Sequence, residues 1–238
     1  MNLTEPEIGA AIVAFVRVAG LVVAAPVIGD LGVPMRARLV AAVAIAFAVS
    51  ANRPGVVYAD VPAVAIIELG YGLLTGLSAR FILARLATAG QLIGLALGLG
   101  FATEFDKNAG ESAGIIRTML VTLGGLAFIH AGGFDMLVRA AAGSPATVPD
   151  LVTLVPQLLS HGTSALAAGV TIAAPILVAA VIANIGLAVA SRAVPAVNAF
   201  SVSLAATLFV GAIALVVSAP ALVGSIEDVA RTAAETLR

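Results

Sequence analysis

Apolar runs return along this chain at lengths that a water-soluble domain has no interior to hide: residues 8–25, 39–51, 61–79, 81–103, 115–129, 164–190 and 199–223. About 20 consecutive apolar residues are needed for a helix to cross a bilayer. In such surroundings the backbone has only itself to bond with, so open strands are excluded and helices are required. Composition agrees, with 61% hydrophobic residues, 11% charged residues and a mean hydropathy of +1.13. A soluble domain carries about a quarter charged residues. The expected fold is all-α, a polytopic membrane protein of kinked helical hairpins.

Whole classes of function fall away on composition. A formal net charge of −1 offers no electrostatic footprint for nucleic acid. Without cysteine there are no disulfides, thiolate metal sites or thiol nucleophiles. His130 and His161 stand apart without ligand spacing, so no metal is expected. Glu5 and Glu7 occupy the place of a basic n-region, and no cleavable signal peptide is expected. Trp is absent and Tyr58 and Tyr71 are the only tyrosines. Spanning helices usually carry aromatic belts, so many of these helices are expected to face protein rather than headgroups.

Besides Arg80 and Arg85, which introduce the fourth run, three charges interrupt the runs. Arg17 sits in the middle of the first, where a mid-span Arg costs about 2.5–3.5 kcal/mol on insertion scales; it either snorkels or pairs inside an assembly. Glu68 interrupts the third run and is a candidate partner for Arg17, or a carboxyl in a small polar pocket. Arg117 follows the start of the fifth. Between the first and second runs, Pro26 and Pro34 frame a turn-rich link. The second run is short for a span, and Asn52-Arg53-Pro54-Gly55 closes it as a loop.

The stretch 90–117 is the most unusual. Gly90, Gly94 and Gly98 recur every fourth residue and lie on one helical face, where a neighbouring backbone can approach closely. The pattern then breaks at an acidic tip with Glu104, Phe105, Asp106, Lys107, Asn108 and Glu111. These acids supply too few placed oxygens for a cation site, and a solvated loop is the simpler reading. The glycines lie inside an apolar run, not between a strand and a helix, so they make no phosphate loop. Nor do the remaining acids and hydroxyls have the spacing of an enzyme. No catalysis and no cofactor are expected.

Residues 140–161, rich in Gly, Ser, Thr and Pro, read as a mixed amphipathic and loop connection. A hairpin follows, with Pro175 as a kink, Asn184 as a buried amide and a turn at 191–195. Residues 225–238 read as a charged amphipathic surface helix. Arginine bias places Arg36, Arg38, Arg80, Arg85, Arg139, Arg231 and Arg238 on the cytoplasmic side if every run spans. The amino terminus and the acidic tip then lie outside, with Arg53 and Arg192 as exceptions to the bias.

Several segments together resemble the FliR family, the flagellar biosynthetic proteins whose injectisome relative is SctT. The first set is Arg17-Val18, Ala25-Pro26-Val27-Ile28-Gly29, Val33-Pro34 and Arg36-Ala37-Arg38-Leu39. The second is the central segment from Ile93 to Ala102 with Asp106. The third is Asn184, Arg192, Pro195, Asn198 and Phe200 near the last turn. The likeness covers nearly the whole chain in matching order. Departures include Ala96, Lys107, Gly132-Gly133 and Ser203-Leu204-Ala205, where the family often has other residues.

The resemblance implies a subunit of the type III protein export gate in the bacterial inner membrane, at the flagellar basal body. It implies a FliP-like part over 1–140 with a central plug loop, a connection over 141–163, a FliQ-like hairpin over 164–223 and a tail over 224–238. Partners implied are FliP-like and FliQ-like membrane subunits, FlhA-like and FlhB-like export components, and unfolded exported proteins. The acidic tip would be the plug, and Arg17, Glu68 and Arg117 would pair with other helices. An injectisome gate, a small-solute carrier and a passive membrane scaffold are the alternatives.

Overall fold

A computed structural model of the chain describes residues 4–26, 33–51, 53–98, 114–193 and 199–236. The described residues are helical with short links and hold no strand. The helices are α1 (Glu5–Ala24), α2 (Met35–Ser50), α3 (Val61–Ala96), α4 (Ile115–His130), α5 (Gly133–Ala142), α6 (Val148–Ala193) and α7 (Ala199–Glu235). Four of them, α1, α3, α6 and α7, are long and apolar enough to cross a membrane. The pair α4–α5, bent by 63°, makes a fifth if it is one broken span. The chain is an all-α polytopic membrane protein.

Local chemistry explains most boundaries. Glu5 and Glu7 sit in the first turn of α1, where negative charge meets the positive end of the helix. The helix stops at Ala25, extended at φ −61° and ψ 145°, as a residue before proline must be. Gly132, at φ +83°, separates α4 from α5; the left-handed region is cheap only for glycine. Thr147 precedes α6, and its N–H and Oγ1 both donate to Asp150 Oδ2 at 2.7 Å, so the side chain three residues into the helix reaches back to the cap residue as in one half of a capping box.

Three expectations from hydropathy are corrected. The third and fourth runs form the single helix α3, because Arg80 interrupts hydropathy without interrupting the backbone ladder. Residues 148–161 belong to α6, which continues through Pro156 and Pro175. The expected separate tail helix is the end of α7, which passes through Pro220 and buries Ile226, Val229, Ala230 and Ala233.

Two compact units interleave along the chain. The first comprises Met1–Leu83, Gly125–Ser164 and Ala230–Arg238, the second Ala84–Gly124 and Ala165–Val229. In the first unit Val18 and Val22 of α1, Ala42, Ala46 and Val49 of α2, and Ala141 of α5 form one apolar cluster, with Phe15 and Ile45 at its edge. The small alanines let α2 lie close to α1. The opposite face of α2, with Val40, Val43 and Phe47, is exposed. At 16 residues α2 is about 24 Å long, short of a bilayer core.

Glycines bring α1 and α3 to backbone contact in this unit. A Cβ on Gly20 would lie 2.9 Å from the Leu69 carbonyl oxygen, and one on Gly76 2.9 Å from the Leu21 carbonyl oxygen. In the second unit Gly90 of α3 meets the Cα of Arg117 on α4, Gly169 of α6 meets Thr88 of α3, and Gly211 of α7 meets Leu97. There too Thr207 Oγ1 donates to Asn184 Oδ1 at 3.0 Å. Asn184 itself is exposed, against the expectation of a buried amide, because only Thr207 on its partner helix is enclosed.

Candidate functional site

The first unit holds a cluster of buried charges. Arg17 comes from the middle of α1, Glu68 from the second turn of α3, and Arg53 from the link between α2 and α3. That link is tied to the start of α1: the Val56 N–H donates to the Pro6 carbonyl at 3.0 Å, and the Tyr58 N–H donates to Glu5 Oε1 at 3.3 Å. Gly9 leaves room for the Val56 carbonyl and Gly55 for Pro6. With the link pinned there, Arg53 reaches inward.

Glu68 joins the two arginines. Arg17 Nη1 donates to Glu68 Oε2 at 3.1 Å; Arg53 Nη1 lies 3.3 Å from Glu68 Oε1. The side chains of Arg17, Glu68 and Arg53 are 1%, 0% and 5% exposed, so each charge depends on the others and on backbone dipoles rather than water. Backbone groups supply further partners, while Nε of Arg17 and Nε of Arg53 are buried without one among the described residues. Arg17 Nη1 also donates to the Ser144 carbonyl at 2.8 Å and approaches that of Gly143 at 3.4 Å. Arg53 Nη2 donates to the carbonyls of Ala141 at 3.0 Å and Gly143 at 3.2 Å. The Ala146 N–H donates to Glu68 Oε1 at 2.8 Å. The Tyr71 ring stacks beneath Arg17, 4.2 Å from its Cζ, a cation–π contact.

The cluster contains no nucleophile and no base open to a substrate; both carboxylate oxygens of Glu68 are engaged. Its chemistry is electrostatic and structural. Among the described residues no group of three or more His, Asp or Glu is placed to hold a metal.

Of the sequence candidates, Arg17 and Glu68 are brought together. Arg117 lies in the other unit, half-buried, with its main chain against Gly90. The glycine stripe does not act as one surface in this chain. Gly90 makes backbone contact, Gly94 has nothing within 4 Å, and Gly98 adopts φ +73° beyond the end of α3. Helical spacing aligns three glycines but does not decide which of them meets a neighbour. Glu104, Phe105, Asp106, Lys107, Asn108 and Glu111 lie outside the described residues.

Sequence reasoning missed Arg53, Tyr71 and the 143–146 reversal as members of the cluster. Arg53 was hidden by its Asn-Arg-Pro-Gly context, which reads as a solvated loop. A signal did exist for the packing: Gly72 and Gly76 stand four apart, one turn beyond Glu68, on the face that meets α1.

The family model described as bacterial export proteins, family 1, matches residues 8–233. The chain belongs to this family. It is similar to the flagellar biosynthetic protein FliR of Aquifex aeolicus, 29% identical over 219 residues, covering 88% of this chain and 84% of that protein. FliR of Pectobacterium carotovorum subsp. carotovorum is 30% identical over 214 residues, covering 84% and 80%. FliR of Escherichia coli (strain K12) is 27% identical over 209 residues, covering 82% and 78%. In this bacterial export protein the charge cluster, from Arg17 to Ala146, falls wholly inside the matched segment.

Proposed function

We propose that this protein is a FliR-type subunit of the flagellar export apparatus, joining FliP-like and FliQ-like subunits around the path taken by unfolded flagellar proteins. The family match across residues 8–233 carries the reading, and the relatives named above are flagellar biosynthetic proteins that this chain matches over most of their own length. Several long apolar helices suit a multi-pass subunit of the bacterial inner membrane. Exposed apolar side chains such as Val181, Ile182 and Ile185 on α6 and Phe209, Val216 and Val217 on α7 suit neighbours that are lipid or other apolar helices. FlhA-like and FlhB-like components would stand next in the same apparatus. No catalysis is proposed: the energy for transport comes from elsewhere.

Within this reading residues 104–114 act as the plug that closes the path at rest, and Gly94 and Gly98 meet a neighbouring subunit. Arg117, half-buried in the lone chain, would complete its pairing there.

The test is to tag the carboxy terminus, solubilise membranes in mild detergent and identify the co-purifying chains. One large complex with small apolar FliP- and FliQ-like proteins is expected. A lone chain or homodimer, under conditions that keep other membrane complexes intact, would overturn the reading. Deleting residues 104–114 is expected to leave the complex assembled but leaky to small solutes; an assembled and equally tight variant would remove the plug role.

A further inference from the structure

Helix α5 ends in an unusual way. The last carbonyls of any helix lack intrahelical partners, and a terminal glycine ordinarily closes them by turning left-handed. Gly143 follows α5, yet it is extended, at φ −56° and ψ 168°. Side chains distant in sequence take the Ala141 carbonyl in the last turn and the two carbonyls just past the helix: Ala141 and Gly143 by Arg53, Ser144 by Arg17. Two guanidinium groups at a helix carboxy terminus also meet the negative end of its dipole. Pro145 has no N–H to satisfy. The next amide, Ala146, donates to Glu68, and Thr147 then caps α6 through Asp150.

We propose that Arg17, Arg53 and Glu68 form a side-chain cap that closes α5 and sets where α6 begins, with Glu68 orienting both guanidinium groups. The chemistry explains the choice of residues. The planar fork of Arg53 meets the carboxylate with Nη1 and the carbonyls with Nη2, a fixed geometry that an ammonium lacks. Arg17 reaches both Glu68 and the Ser144 carbonyl from Nη1. Glu68 is the carboxylate that faces both forks: Oε2 holds Arg17 and Oε1 holds Arg53. The cluster carries one positive charge in excess, and the carbonyl ends of α5 are what offsets it. This role concerns the fold of the chain and holds whether or not the export reading does.

The chain has no cysteine, so Ala141→Cys provides a single thiol at a site 1% exposed in the last turn of α5. The full-length protein carrying it, purified in mild detergent with whatever accompanies it, is labelled with a water-soluble maleimide. Slow labelling is expected in the otherwise native background, and at least tenfold faster labelling with Glu68→Gln. Arg53→Lys keeps the charge opposite Glu68 but loses the fork; it is expected to elute as the parent does and to label several-fold faster. The triple variant Arg17→Met/Arg53→Met/Glu68→Met removes every charge at once, so no buried ion is left unpaired. It is expected to fold, by circular dichroism and gel filtration, and still to expose the thiol. Parent-like protection in Arg53→Lys or in the folded triple variant would overturn the cap, because the charges would then serve only each other. If Glu68→Gln fails to fold, Arg53→Lys carries the test.

Discussion

Gly72 on α3 lies against the main chain of Arg17 on α1: a Cβ at Gly72 would overlap the Arg17 carbonyl oxygen and stand 3.0 Å from the Leu21 nitrogen. The same residue that anchors the buried charge cluster thus supplies the backbone on which α3 rests. A helix turn separates Gly72 from Glu68, so the close approach of the two backbones and the Arg17–Glu68 bond are set by one packing geometry.

Gly72→Ala is therefore expected to destabilise the protein by about 1–3 kcal/mol, the range for overpacking a tight contact. Gly94→Ala is the control. With open space around it, alanine there gains roughly 0.5–1 kcal/mol of helix propensity in the isolated chain. Thermal unfolding followed by circular dichroism in detergent separates them. Equal melting temperatures for the two variants would contradict the packing described.

The bend between α4 and α5 rests on a second contact of this kind. The ring of Phe128, 1% exposed, occupies the space that a Cβ on Gly133 would need. Gly133→Ala and Phe128→Leu should each destabilise, the second by cavity formation. Their combination should cost less than the sum, since the shorter side chain yields room for the new methyl. A double-mutant cycle measures the coupling, and strict additivity would argue against the contact.

Thr207 and Asn184 join α7 to α6 by one hydrogen bond at 3.0 Å. Interhelical bonds in membrane proteins contribute about 0.6 to 2 kcal/mol. Thr207→Val should lose that amount, while Thr207→Ser keeps the hydroxyl and should retain most of it. The measurement is denaturation in mixed micelles; a Thr207→Val variant as stable as the parent would mean that the hydroxyl contributes nothing.

At the start of α6, Thr147→Ala should cost about 0.5–1.5 kcal/mol, the net contribution of the hydroxyl's hydrogen bond to Asp150. Asp150→Ala should cost more, because it also removes the acceptor of the residue 147 backbone N–H, a bond that Thr147→Ala leaves in place. Cleavage by a non-specific protease between residues 143 and 148 is the local readout. Unchanged cleavage in both variants would show that the cap does not hold this end.

Sequence alone determined the class of molecule. Apolar runs of bilayer length leave the backbone no choice but helices, and the ordered set of motifs points to one export family, which the match over residues 8–233 shows. It also singled out Arg17 and Glu68, because an ion inside an apolar run demands a partner. Helix limits were less legible. Hydropathy registers each charge as a break, whereas the hydrogen-bond ladder of α3 runs through Arg80 and Arg85 and that of α7 through Pro220.

Only the tertiary structure decided the rest. That Arg53 is buried depends on a link laid across the first turn of α1, a contact between segments some fifty residues apart that no local pattern encodes. Which glycines pack within the chain depends on which face meets another of its helices: Gly20, Gly72 and Gly76 do, and Gly94 has nothing of the chain within 4 Å. The use of the cluster was equally invisible. An arginine's need for acceptors can be read from its chemistry, but the carbonyls of Ala141, Gly143 and Ser144 become those acceptors only when α5 ends beside α1.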